Sequence, residues 1–277
     1  MDYKRKIDFA INLLRNIPTD SGPIEVSYSG GKDSDVILEL AKMSGIDFRA
    51  IYKQTTIDPP GTTAHVKEMG AEIIRPKLTF FQIIEQNSMP TRWSRFCCRY
   101  LKEYKVLDRA VQGIRRSESS KRAALYKEPE DCRTYRNGGK VRIYFPILEW
   151  TDEDVARFIQ ERGIKCAPVY YDQDGNFHVE RRLGCIGCPL ATDNGRGDYR
   201  KYPRMLKQVC RAAQKYLDTH KDTRAYREMY GSGYNLVYKR LFCKTMEDYE
   251  TAVTGGLFPE QALDTKQFLE DYFKIEL

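Results

Sequence analysis

Histidine and tryptophan are scarce in this sequence, with three and two copies among 277 residues. With so little histidine, a thiolate-rich metal site is the expectation. Long apolar runs are missing too: none approaches the roughly 20 residues that cross a bilayer, which excludes a spanning helix. The opening stretch, MDYKRKIDFAINLL, carries charge every few positions, so a secretory signal is not expected and a cytoplasmic protein without membrane partners is. Internal repeats and low-complexity segments are also lacking. Hydrophobic residues at 41% against charged residues at 31% exclude wholesale disorder, and the length suits one or two domains. The formal net charge of +7 is mild. It fits an anionic ligand or weak nucleic-acid contact, and no basic tail is present.

What is plentiful is cysteine, with eight copies. With no secretory signal, metal, cluster or redox chemistry accounts for them better than disulfides do. Cys97 and Cys98 are adjacent, and Cys185 and Cys188 form a CxxC. Two close thiolate pairs can bind Zn²⁺ or an iron–sulfur cluster. Adjacent cysteines reach one tetrahedral ion awkwardly, whereas a cubane offers four separate irons. That favours a 4Fe–4S cluster on Cys97, Cys98, Cys185 and Cys188 over zinc or over unligated thiols. Cys210 lies in the helical pattern MLKQVCRAAQKYL and is expected in a core.

Periodicity predicts strands at 24–28, 48–52, 71–74, 111–114 and 141–145. Helices are expected at 3–16, from a glycine turn to Gly45, through 65–69, at 79–87, near 118–125 and from Thr151 onward, with Thr151 as N-cap. The alternation implies an α/β fold with a doubly wound, mostly parallel sheet. Residues 127–140 are polar and read as a loop or lid. Beyond about residue 165 the strand pattern fades, and helices are expected at 198–220, 223–230 and 246–254. The expected organisation is therefore a nucleotide-binding α/β domain over 1–165. A smaller helical region over 166–277 would contribute the CxxC.

The sharpest motif is Ser29-Gly30-Gly31-Lys32-Asp33-Ser34, between a predicted strand and a predicted helix. Two glycines let the backbone approach an anion, and the amides at the helix start point at it. Lys32 adds a point charge, and Ser29 and Ser34 add hydroxyls. The Asp33 carboxylate suits Mg²⁺ orientation or a helix cap. Lys32 and Asp33 are the expected catalytic pair. The loop is not a Walker A, because residue 26 is valine. Arg115, Arg116 and Arg122 follow a later strand, and guanidinium forks suit phosphate or sulfate oxygens at strand ends.

The loop resembles the SGGxDS phosphate loop of the PP-loop adenine-nucleotide hydrolase superfamily, with its HUP-like sheet. Within it, the chain resembles the phosphoadenosine phosphosulfate (PAPS) reductase family. Residues 113–122 (GIRRSESSKR) are similar to that family's GxRxxES…R stretch, and 145–150 (FPILEW) followed by Asp154 fit as well. The resemblance implies an adenine nucleotide on Ser29–Ser34, Gly113, Arg115, Arg116, Glu118 and Arg122, with Thr56 and Asp58 near it. The CC…CxxC arrangement is similar to that of the cluster-bearing branch.

Reductases of the family carry a nucleophilic cysteine near the C-terminus in an ECG-type motif, and no cysteine follows Cys243 here. The sulfurtransferases of DNA phosphorothioation resemble the sequence better on this point. That resemblance implies ATP-dependent sulfur transfer, with adenylation and then sulfuration of an acceptor. Two alternatives remain: a sulfonucleotide reductase using an atypical thiol, and a nucleotide- and cluster-binding sensor or subunit. The implied partners are an adenine nucleotide and a sulfur donor or external reductant. Nucleic acid, through Tyr199–Tyr202 and 234–240, and a second copy of the chain are further candidates.

Overall fold

Asp2 caps the first helix by accepting from the Arg5 amide, and Ala10 and Leu14 bury its inner face. From there the computed structural model runs α1 (Tyr3–Arg15), β1 (Ile24–Tyr28), α2 (Lys32–Ser44), β2 (Phe48–Lys53), α3 (Thr62–Glu68) and β3 (Glu72–Ile74). Next come α4 (Phe80–Asn87), α5 (Phe96–Leu101), β4 (Arg109–Val111), α6 (Ser120–Leu125), β5 (Glu130–Thr134), β6 (Lys140–Tyr144) and α7 (Asp152–Arg162). The remainder is helical: α8 (Arg196–Lys201), α9 (Pro203–Thr219), α10 (Arg224–Glu228), α11 (Gly233–Phe242), α12 (Met246–Thr254) and α13 (Thr265–Phe273). The structure describes residues 1–20, 22–135 and 139–277.

The six strands form one sheet in the order β3-β2-β1-β4-β6-β5. Every pairing is parallel except β5 with β6. This is the α/β, mostly parallel architecture expected from the alternation, with a helical C-terminal region. Ile24, Val26 and Tyr28 are buried, as suits a central strand covered on both faces. Val26 pairs with Ala50 on one side and with Val111 on the other. Strand order reverses at β1, so the loops leaving β1 and β4 open side by side. That is the switch point where such sheets receive ligands.

The chain divides into two compact units. The first holds 1–54, 58–75 and 102–183, and the second holds 55–57, 76–101 and 184–277. These bounds differ from a cut at 165. Cys166, Ala167 and Tyr170 pack in the same core as Val26 and Val36, so 166–183 belong with the sheet. Ile83 and Ile84 of α4 instead share a core with Leu206, Val209 and Ala213 of α9, which draws 76–101 to the helical unit. Cys210 is 5% exposed in that core, as its helical setting predicts.

Other local differences have simple causes. Residues 130–134, expected within a loop or lid, form the edge strand β5; EDCRT is mostly exposed and is held by backbone pairing to β6. Arg136, Asn137 and Gly138 of the expected lid lie outside the described residues. A single helix over 198–220 is instead two, because Pro203 begins α9 at a position where its missing N–H costs nothing. Thr151 caps α7 as expected, in a capping box with Asp154.

Candidate functional site

The phosphate loop occupies the turn from β1 into α2. Gly30 sits at φ +75°, and a Cβ there would meet Thr62 Cγ2 at 3.2 Å and Val66 Cγ2 at 3.4 Å, so glycine is required both for the turn and for packing. Gly31 caps α2 without any side-chain hydrogen bond. Gly31 thus leaves the start of a thirteen-residue helix without a side chain of its own to cap it, and the Tyr170 phenol meets the Lys32 backbone there. The two hydroxyls brace the loop from within. Ser34 Oγ donates to the Gly31 carbonyl at 2.7 Å, and Ser29 Oγ lies 3.2 Å from Ser34 Oγ. Lys32 is 4% exposed, and its Nζ lies 5.6 Å from the Tyr170 ring centroid. Burial pushes the Tyr170 phenol up to about 12, so it stays protonated beside the loop.

Asp33 does not cap the helix. Its Oδ1 accepts from Arg115 Nε at 2.7 Å, and its Oδ2 lies 3.3 Å from Lys32 Nζ. Both oxygens face cations, so Mg²⁺ held by Asp33 does not fit this arrangement. Arg115, 1% exposed, bridges Asp33 to Asp152 at 2.7 Å and also donates to Ser117 Oγ at 3.0 Å. Gly113, on the loop leaving β4, lets that loop press on α2. A Cβ there would lie 2.8 Å from the Asp33 carbonyl oxygen. The structure therefore brings Ser29–Ser34, Gly113 and Arg115 together at the strand-order reversal.

The other arginines divide. Arg116 donates to the Tyr126 carbonyl at 2.7 Å and pairs with Glu149 and the Lys127 carbonyl, so its guanidinium pins a neighbouring loop. Arg122 pairs with Glu118, and Arg182 lies 3.7 Å from the same carboxylate. Burial and the neighbouring Arg182 lower the pKa of Arg122. Arg182 and Tyr170 lie in 166–183, beyond the domain expected from sequence, which is why sequence reasoning missed them. Thr56 and Asp58 fall in different units. Thr56, at φ +64°, accepts from the Phe80 amide at 2.9 Å and so anchors the start of α4.

A buried polar group also went unforeseen. Tyr28, Asp35 and His65 are all under 5% exposed. His65 Nε2 lies 3.0 Å from both Tyr28 Oη and Asp35 Oδ1, and the phenol also bonds Asp35. Burial raises the Asp35 carboxyl, against the lowering effect of His65, Tyr28 and Cys166.

All four paired cysteines belong to the helical unit. Hydrogen bonding with Cys98, burial and nearby Cys185 push the Cys97 thiol well up. Cys185 Sγ lies 3.7 Å from Thr55 Oγ1, and Asp198 accepts from the Gly187 amide at 3.0 Å inside the CxxC. The donor set suits an iron–sulfur cluster chemically. Among the described residues, however, no three His, Cys, Asp or Glu side chains form a ready metal site. Of the expected nucleic-acid residues, Tyr199 is 2% exposed and unavailable, and Arg200 lies over the Tyr272 ring at 4.2 Å. Among the described residues no helix is long and apolar enough to cross a membrane.

The model of the phosphoadenosine phosphosulfate reductase domain matches residues 23–191. An uncharacterized protein of Methanocaldococcus jannaschii is 30% identical over 185 residues, covering 61% of this chain and 42% of that protein. Sulfate adenylyltransferase subunit 2 of Rhizobium tropici is 26% identical over 196 residues, covering 58% of this chain and 62% of its own length. The match thus spans less than half of the archaeal relative and under two thirds of the rhizobial one. Among solved structures, phosphoadenylyl-sulfate reductase from Candida auris aligns at a TM-score of 0.43 and 13% identity, over 66% of this chain and 93% of that one.

Proposed function

We propose a function from the premise that this chain belongs to the phosphoadenosine phosphosulfate reductase domain family. It binds an adenine nucleotide, with phosphates on Ser29–Ser34, and uses ATP to transfer sulfur. The observation that carries the reading is the glycine turn into α2 at the strand-order reversal, where Gly31 supplies no side-chain cap and Lys32 and Arg115 stand beside the turn.

In the first step an oxygen of the acceptor attacks the α-phosphorus. The bond to the bridging oxygen breaks, and pyrophosphate leaves with its electron pair. In the second, hydrosulfide displaces AMP from the activated acceptor, and its proton passes to solvent; no net oxidation occurs. The α2 amides and Lys32 hold the phosphate oxygens and stabilise the charge that builds on them. Asp33, fixed by Arg115, holds Lys32 in place. The four cysteines of the helical unit are assigned to a 4Fe–4S cluster on the chemistry of the donor set. When bound, such a cluster supplies an electron-transfer centre or a polarising iron. Burial and Asp248 raise the Cys243 thiol, which disfavours it as the attacking thiolate of a sulfonucleotide reductase.

The test is anaerobic purification, iron analysis and a panel of ATP and both sulfonucleotides. Pyrophosphate release from ATP is expected; sulfite release from a sulfonucleotide would replace this reading with the reductase. A Cβ at Gly31 would sit 3.3 Å from both Ser29 Oγ and Tyr170 Oη. Gly31→Val should therefore weaken ATP at least tenfold, and unchanged affinity with the fold intact would refute the phosphate assignment.

A further inference from the structure

The helical unit contains a cavity of about 510 Å³ that the nucleotide reading does not use. Arg92, Trp93, Lys239, Arg240 and Lys244 line it, and no carboxylate is among its described lining residues. Trp93 is 94% exposed, the far extreme for a residue that normally buries its ring. It stands in the stretch Arg92-Trp93-Ser94-Arg95, all exposed, separated from Cys97 by Phe96 alone. Two of the cations tie the cavity to the cysteine set. Arg92 donates to the Leu190 and Ala191 carbonyls at 3.2 and 2.9 Å, just beyond the CxxC. Arg240 bonds the Pro90 carbonyl and lies within electrostatic reach of Cys97 and Cys188.

We infer that this cavity binds single-stranded nucleic acid, with a base stacked on Trp93 and phosphates on Lys239 and Lys244. The four cations and the missing carboxylate select an anion. The exposed indole selects one with a flat face, since base–aromatic stacking tolerates any base. A protein partner fits less well, because the centres of protein interfaces are depleted of charged residues and this indole is ringed by them. A duplex fits less well, because its bases are already stacked on one another. The role of the bound strand as sulfur acceptor rests on the function proposed above; its binding does not.

The two tryptophans make the test direct, because Trp150 is 1% exposed and Trp93 is not. The full-length protein, purified without oxygen, is titrated with mixed-sequence 12-mers of single-stranded DNA, single-stranded RNA and duplex DNA while tryptophan emission is followed. Single strands should quench the long-wavelength emission of Trp93, and the tighter of the two identifies the sugar. With affinity read from the fluorescence anisotropy of a dye-labelled strand, because these variants lack the reporting indole, Trp93→Ala should lose about tenfold and Trp93→Phe should recover much of it. Lys239→Ala and Lys244→Ala should each lower the slope of log affinity against log salt by about 0.7. Trp93 and Lys244 are exposed and Lys239 partly so, and urea unfolding followed by far-UV circular dichroism checks that the helical unit of each variant stays folded. Strands that bind without quenching, duplex that binds as tightly, or unchanged affinity in Trp93→Ala would overturn the inference. ATP affinity, measured on the same variants, should stay at the wild-type value. A protein that binds strands through Trp93 but never binds ATP would keep this site and remove the sulfur-transfer reading.

Discussion

Replacing Arg115 tests the physical basis of the phosphate loop most directly. The guanidinium is 1% exposed and holds two carboxylates at 2.7 Å each, Asp33 on α2 and Asp152 at the start of α7. The two partners are unequal, with Asp33 side-chain exposure at 18% and Asp152 at 51%. Solvent screens the second pair, so it contributes under about 1 kcal/mol. The first is nearly dry, and removing one member of a buried pair costs about 3–5 kcal/mol. Lys32 offsets part of the charge left on Asp33, so Arg115→Met should destabilise the protein by about 2–4 kcal/mol. Asp33→Asn should cost less, because the amide oxygen can still accept from Arg115 and Asp152 still pairs with the guanidinium. The double variant should show a coupling of about 1.5–3 kcal/mol, the range of a charge-assisted hydrogen bond. Urea unfolding of the four proteins at a common slope gives the cycle. Coupling under about 0.5 kcal/mol would mean that Asp33 and Arg115 act independently and that the loop is not held as described.

Two further outcomes follow from buried groups. The raised Asp35 carboxyl binds its proton more tightly in the folded state, so its contribution is fully present in acid and is lost as pH climbs from about 4 through its folded value. Urea midpoints should therefore fall, as pH rises from about 4, by more in the wild type than in Asp35→Asn, and equal falls would refute the assignment. Burial pushes the Cys210 thiol to about 12, whereas Cys132 is exposed on β5. Iodoacetamide at pH 8, followed by mass mapping, should mark Cys132 early and leave Cys210 unmarked until the chain unfolds; early labelling of Cys210 would contradict its place in the core.

The central strands and the phosphate loop were legible because local chemistry decides them. A β-branched strand, two glycines and a helix start can be read without knowing what lies across the sheet. β5 was not legible, because EDCRT carries no alternation and its strand is made wholly by backbone bonds to β6. Arg115 and Arg116 look alike in sequence. Only the 3₁₀ turn at Arg116–Glu118 sends one guanidinium to Asp33 and the other to Glu149. Tyr199 read as a surface aromatic because its neighbours are basic, but α8 turns it inward to 2% exposure. The cavity beside Trp93 draws on residues within 88–93 and 236–246 and on Asn194, and no single stretch of sequence displays it.

The place of α4 in the core of α9 has a consequence for biosynthesis. Between Asn87 and Pro203 lie 115 residues of chain. At about 5–20 residues per second, the ribosome needs roughly 6–23 s to deliver the partner after α4 has been made. Through that interval Phe80, Ile83 and Ile84, all nearly fully buried in the finished protein, lack the α9 side chains Leu206, Val209 and Ala213 that share their core. A nascent chain stalled or truncated before α9 would present this apolar helix to the cell and invite chaperone capture or degradation. Ribosome-bound chains arrested near residue 190 should therefore recruit holdase chaperones that chains arrested well beyond residue 220 release.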